Sequence, residues 1–94
     1  MYKITAIAPT TYQLNSLRAF GIPYKALGNG AYRAVEEFDS EKQAKEYLEG
    51  RARQYNDEHN ESEEQLNEML SDIELGALTL DAVTAHIEEE TPAD

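Results

Sequence analysis

Glu61, Glu64, Glu68 and Asp72 follow one another at three- and four-residue spacing. On a helix that spacing stacks carboxylates roughly 5–6 Å apart along one side, and like charges so placed repel by about 0.2–0.5 kcal/mol per pair. The step is comparable to the spacing of phosphates along a nucleic-acid backbone. The chemistry open to such a row is electrostatic: it can dock on a basic groove, as a DNA mimic or a masking subunit would. Glu63 and Glu74 lie at its margins. These six are the candidate partner-binding residues. The plainer reading is a solvated helix face that keeps the chain soluble.

The charge is also sorted along the chain. Residues 1–35 carry Lys3, Arg18, Lys25 and Arg33 and no acid, residues 36–53 are mixed, and beyond Arg53 there is no Lys or Arg but thirteen Asp and Glu. The three segments carry +4, −2 and −13 of a net charge of −11. Such a charge repels nucleic acid and anionic membranes over long range, and it draws basic partners. Each of the first strand-like segments pairs a tyrosine with a cation: Tyr2-Lys3, Tyr24-Lys25 and Tyr32-Arg33. Interleaved aromatics and cations can hold single-stranded nucleic acid, but neighbours on a strand point to opposite faces and cannot share a platform. No direct nucleic-acid binding is expected. The cations are expected to meet the acidic helices, within the chain or between chains.

Metal and catalytic readings find little footing. Asp57, His59, Glu61, Glu63 and Glu68 suggest a twelve-residue calcium loop, but its sixth position is Ser62 where the sharp turn needs glycine. His59 with Glu63, and His86 with Glu90, have helical i, i+4 spacing but no third ligand nearby. The chain has no cysteine, hence no disulfide and no thiolate chemistry. Its serines have no elbow or triad context, and Gly28-Asn29-Gly30 lacks the pattern of a phosphate loop. A domain this small also struggles to enclose a dry pocket. No catalytic residue, metal or cofactor is assigned, and an enzyme is not expected.

Ninety-four residues supply one hydrophobic core. Tyr2 to Ala8 alternates as a strand that Pro9 ends, and a short helix follows with Leu14, Leu17 and Phe20 inward and Gly21 as its stop. Tyr24–Leu27 and Ala31–Val35 flank Gly28-Asn29-Gly30, the signature of a hairpin. Ser40 with Gln43 caps a second helix whose inner stripe is Ala44, Tyr47, Leu48, Arg51, Ala52 and Tyr55. Ser62 with Gln65 caps a third, with Leu66, Met69, Leu70 and Ile73 as its seam, and Gly76 stops it. Thr79 is read as the cap of a last helix carrying Ala82, Val83, Ala85 and Ile87, with Leu78 stapled onto Val83.

The expected fold is α+β: a small three-stranded sheet (β-α-β-β) followed by three helices, the last two forming a helical hairpin. Residues 1–87 form the domain and 88–94 an acidic, frayed tail. Tyr2, Ile4, Ala6, Tyr24, Ala26, Tyr32 and Ala34 are expected to face the helices. Lys3, Lys25 and Arg33 then share the opposite face with Ile7, Leu27 and Val35. No apolar stretch is long enough to span a membrane, Met1–Pro9 reads as a strand rather than a signal peptide, and Asn60-Glu61-Ser62 matches a glycosylation acceptor only by chance. The absence of cysteine suits a cytoplasmic protein.

The function expected from these residues is a non-enzymatic acidic binding protein. Its C-terminal helices would engage the basic surface of a partner protein, and a nucleic-acid mimic or an inhibitor of a nucleic-acid-binding protein is one form this could take. In composition it is the kind of chain that phages and mobile elements use to block nucleic-acid machinery. The alternative is a self-associating structural or accessory domain, a homo-oligomer whose acids serve solubility.

Overall fold

Period-two alternation builds five strands in this chain rather than three. The computed structural model describes residues 1–60 and 62–89. Strands β1 (Tyr2–Ala8), β2 (Tyr24–Ala26), β3 (Tyr32–Phe38), β4 (Ala77–Leu80) and β5 (Val83–Glu89) form one sheet in the order β2-β3-β1-β5-β4. Every pairing is antiparallel, and the fold is α+β.

The segment expected as a last helix is the β4–β5 hairpin, so no helical hairpin forms. Leu78, Leu80, Val83 and Ala85 are all buried, and they alternate with Thr79, Thr84 and His86. β-Branched Thr79, Val83, Thr84 and Ile87 fit a pleated surface better than a helix. The turn is only Asp81-Ala82, with Asp81 at φ +58° and Leu80 paired to Val83. A positive φ at the first of two loop residues is the mark of a primed hairpin turn. The expected staple of Leu78 on Val83 gives way to Leu78 opposite Ala85. β5 also gives β1 its second neighbour, making β1 the central strand. It runs through Glu88 and Glu89, two residues into the stretch read as tail, while residues 90–94 lie outside the described part.

The β2–β3 hairpin forms where Gly28-Asn29-Gly30 predicts it. Gly28 and Gly30 both take φ +87°, and the Leu27 N–H closes the loop on the Ala31 carbonyl at 2.8 Å. A 3₁₀ turn (Thr11–Gln13) leads into the short helix α1 (Leu14–Arg18), which buries Leu17 and, just beyond it, Phe20.

Helix α2 (Glu41–Glu58) is capped by Ser40, whose Oγ accepts from Gln43 N–H at 3.2 Å. Its alanines Ala44 and Ala52 meet Ala6, Ala34 and Ala85 of the sheet in one buried cluster, and these small residues let the helix lie close. Tyr47 and Arg51 point the same way for a polar reason. The carbonyls at the end of α1 have no partner within that helix. Tyr47 Oη donates to the Phe20 carbonyl at 2.6 Å, and Arg51 Nε and Nη2 donate to the Ala19 carbonyl at 3.0 and 2.6 Å. Between them Gly21 sits at φ +70°, where a Cβ would come within 2.9 Å of Arg51 Cζ. Helix α3 (Glu63–Glu74) opens with a capping box: Gln65 N–H donates to Ser62 Oγ at 3.2 Å, and Ser62 N–H to Gln65 Oε1 at 3.4 Å.

All three helices lie on one face of the sheet. Leu17, Phe20, Leu48 and Ile73 share a core with Ile4, Ala8, Leu78, Leu80 and Val83. Tyr24 and Tyr32 meet edge to face on that side, ring centroids 6.1 Å apart. The backbone is 44 Å by 31 Å by 16 Å. With stacked layers about 10 Å apart, 16 Å holds one sheet and one helical layer, and nothing covers the second face among the described residues.

Candidate interaction surfaces

Helix α3 turns Leu66, Met69, Leu70 and Ile73 toward the core, which leaves its acids outside. Glu63, Glu64, Glu68, Asp72 and Glu74 are all exposed. They do not form one patch. Glu64, Glu68 and Asp72 stand at i, i+4 and i+8, a line advancing about 6 Å per step. Leu75, seven residues beyond Glu68 and so on the same side, is 87% exposed at the end of that line. Glu74 lies on the opposite flank, at a cleft shared with Glu41, Lys45 and Glu49 of α2. Glu63 falls three turns before Glu74 on the same flank. Glu61 lies outside the described residues.

The sheet adds a carboxylate that the sequence reading overlooks. Asp81, in the β4–β5 turn, borders the same depression as Glu68 and Asp72. Its Oδ2 accepts from Ser16 Oγ at 2.8 Å, which ties the turn to α1. Read as part of a helix, Asp81 gives no sign of this position. Leu75 is the other omission, and its signal was present: it falls outside the α3 seam.

No α3 acid has an ion pair among the described residues. The pairs there are Lys3–Glu88 at 3.8 Å, Lys42–Glu46 at 3.9 Å and Lys45–Glu41 at 2.9 Å. The hydrogen bond that the Lys45 ammonium donates to Glu41 holds its pKa above the ordinary value, and the fields of Glu41 and Glu74 act in the same direction. The cations of the first 35 residues stay away from α3. Arg18 donates Nε to Tyr24 Oη at 2.9 Å and stands 5.8 Å over its ring. Lys3, Lys25 and Arg33 line the uncovered sheet face.

That second face carries the residues expected of it. Register aligns Lys25 with Arg33 and Arg33 with Ile7 in one row, Val35 with Thr5 and His86 in the next, and Glu37 with Lys3 and Glu88 in the third. Ile7 and Leu27 are each 50% exposed. Thr5 at the centre is only 8% exposed, and its buried Oγ1 has no hydrogen-bond partner.

The histidines fall where helical spacing does not apply. His59 ends α2, stacked on Tyr55 with ring centroids 4.0 Å apart, while Glu63 belongs to α3. His86 is in a strand, and Glu90 lies outside the described residues. Among the described residues no three His, Asp or Glu side chains gather as a metal site. No helix there is long and apolar enough to cross a membrane. Comparisons with models of protein families, with curated proteins and with solved structures find no match to this chain.

Proposed function

We propose that this chain is a non-enzymatic acidic binding protein whose α3 flank engages the basic surface of a nucleic-acid-binding protein and competes there with nucleic acid. One observation carries the reading: Glu64, Glu68 and Asp72 form an exposed line with no ion pair among the described residues, and Asp81 borders the same depression as Glu68 and Asp72, in a molecule of net charge −11. The helix accepts their repulsion although α2 compensates its own charges through Lys45–Glu41 and Lys42–Glu46. Leu75 offers an apolar contact at the end of the row, where a purely electrostatic dock would otherwise lack an anchor.

Steering by such a surface is fast and salt-dependent. The test is capture of nucleic-acid-binding proteins on the immobilised chain at low and moderate salt, with duplex DNA as competitor. The expected partner is retained at low salt, displaced by duplex and lost from the variant Glu64→Lys/Glu68→Lys/Asp72→Lys. A partner held equally well by that variant would overturn the assignment of the row, and the lack of any duplex-displaceable partner would overturn the reading.

A further inference from the structure

The uncovered sheet face differs in charge from the rest of the molecule. Each molecule carries a net charge of −11, so two copies repel from most directions. The outer sheet face is the exception, because it carries Lys3, Lys25 and Arg33 against only Glu37 and Glu88, while the α3 acids belong to the layer on the other side. It is therefore the side on which two copies approach with least repulsion.

Its charges are also sorted along the strands. On β3 the outward residues run Arg33, Val35, Glu37, from a basic end through an apolar centre to an acidic end. A two-fold axis lying between two stacked sheets, perpendicular to their strands, reverses every strand over its own copy. Placed along the row of Val35, Thr5 and His86, it sets those three over themselves. It brings Arg33 of each copy over Glu37 of the other, twice. Ile7 falls over the methylene stem of Lys3, whose ammonium stays with Glu88 at 3.8 Å.

We propose that the chain forms a two-fold dimer in which the outer faces of two sheets stack, with Arg33 of each copy paired to Glu37 of the other across a Val35–Thr5 centre. Sheets pack in this way about 10 Å apart with strands within about 30° of alignment. Five strands at about 4.8 Å spacing and up to seven residues at about 3.3 Å give a face roughly 20 Å on a side. That is about 400 Å² from each copy, below the usual size of stable specific interfaces and in the range of weak, reversible contacts, so the test covers high micromolar concentrations. Each sandwich then carries its two α3 rows on opposite outer sides.

Sedimentation of the purified chain over roughly 1–500 µM tests this, without any partner and with α3 untouched, so it can fail or succeed independently of the proposed function. The expected result is a monomer–dimer equilibrium within this range. Arg33→Glu and Glu37→Arg should each raise the dissociation constant at least about tenfold by setting like charges opposite each other, and the double exchange Arg33→Glu/Glu37→Arg should restore it. A monomer throughout, or single variants that dimerise as well as the parent, would overturn the proposal, and so would an exchange that fails to restore. Far-UV circular dichroism checks that each variant is folded. The chain has no cysteine, so Val35→Cys gives a second arm that keeps the charges native. A short bis-maleimide should link Val35→Cys and leave Ser71→Cys on α3 unlinked, whereas the reverse pattern would overturn the arrangement.

Discussion

Tyr47 shows how one polar atom holds two helices together. Its hydroxyl gives the end of α1 a donor by bonding the Phe20 carbonyl at 2.6 Å, and burial pushes its pKa above the ordinary tyrosine value. Nearby Glu36 pushes the same way and Arg51 opposes. The folded chain thus holds this proton more tightly than the unfolded one. The resulting stability is fully present below about pH 10 and is lost as the pH rises through the folded pKa, since there the unfolded chain has released a proton that the folded one keeps. Tyr47→Phe removes the bond, with an expected loss of about 0.5–1.5 kcal/mol at neutral pH. Its urea midpoint should then fall less steeply than the parent's between pH 9 and 11. Parallel curves would mean that the alkaline loss belongs to the other tyrosines.

At the scale of elements, the β4–β5 hairpin shows where sequence stops being legible. The first hairpin announces itself through Gly28 and Gly30, because positive φ favours glycine. The second turns on Asp81-Ala82, which carries no such signal, and Leu80, Val83 and Ile87 fit a helical stripe as readily as a strand. What decides is tertiary: β1 needs a second neighbour, and only the five-stranded sheet buries Leu78 and Leu80 together with Val83 and Ala85. The caps Ser40 and Ser62 were readable because their partners are three residues away. Arg51 was readable as inward-facing, but its acceptor was not, since a distant carbonyl leaves no trace in residue type. Likewise the line of Glu64, Glu68 and Asp72 follows from helical spacing alone, whereas Asp81 joins it only through the fold. Asp81 itself can be tested. Asp81→Asn keeps a side-chain acceptor and tolerates positive φ, Asp81→Gly keeps only the backbone freedom, and Asp81→Ala keeps neither. Urea midpoints should fall in that order, with alanine about 1–3 kcal/mol below the parent. An alanine variant as stable as the parent would show that neither the turn conformation nor the bond to Ser16 matters.

For the whole molecule, the separation of charge between layers should set its response to salt. The α3 acids make no ion pair among the described residues, and the cations of the outer sheet face lie across the core from them. Lys45 of α2 acts on the Glu74 flank, so the repulsion left without a local partner is that of the row Glu64, Glu68 and Asp72. Salt screens exposed charges once the Debye length falls from about 30 Å at 0.01 M to about 10 Å at 0.1 M. Raising the ionic strength over that range should stabilise the monomer, by roughly a few tenths of a kcal/mol if a few like-charge pairs at helical spacing dominate. The same salt acts on the proposed dimer in two directions, screening both the repulsion between two molecules of charge −11 and the attraction of the Arg33–Glu37 contacts. The effect within one molecule is read alone in the Arg33→Glu variant, which carries an intact α3 and no pairing of opposite charges across the two-fold axis. Its urea midpoint should climb with salt, and by the same amount at every protein concentration. A midpoint that falls with salt in Arg33→Glu would mean that Lys45–Glu41, Lys42–Glu46 and Lys3–Glu88 outweigh the repulsion. The acidic row of α3 would then carry too little strain for a basic partner to relieve.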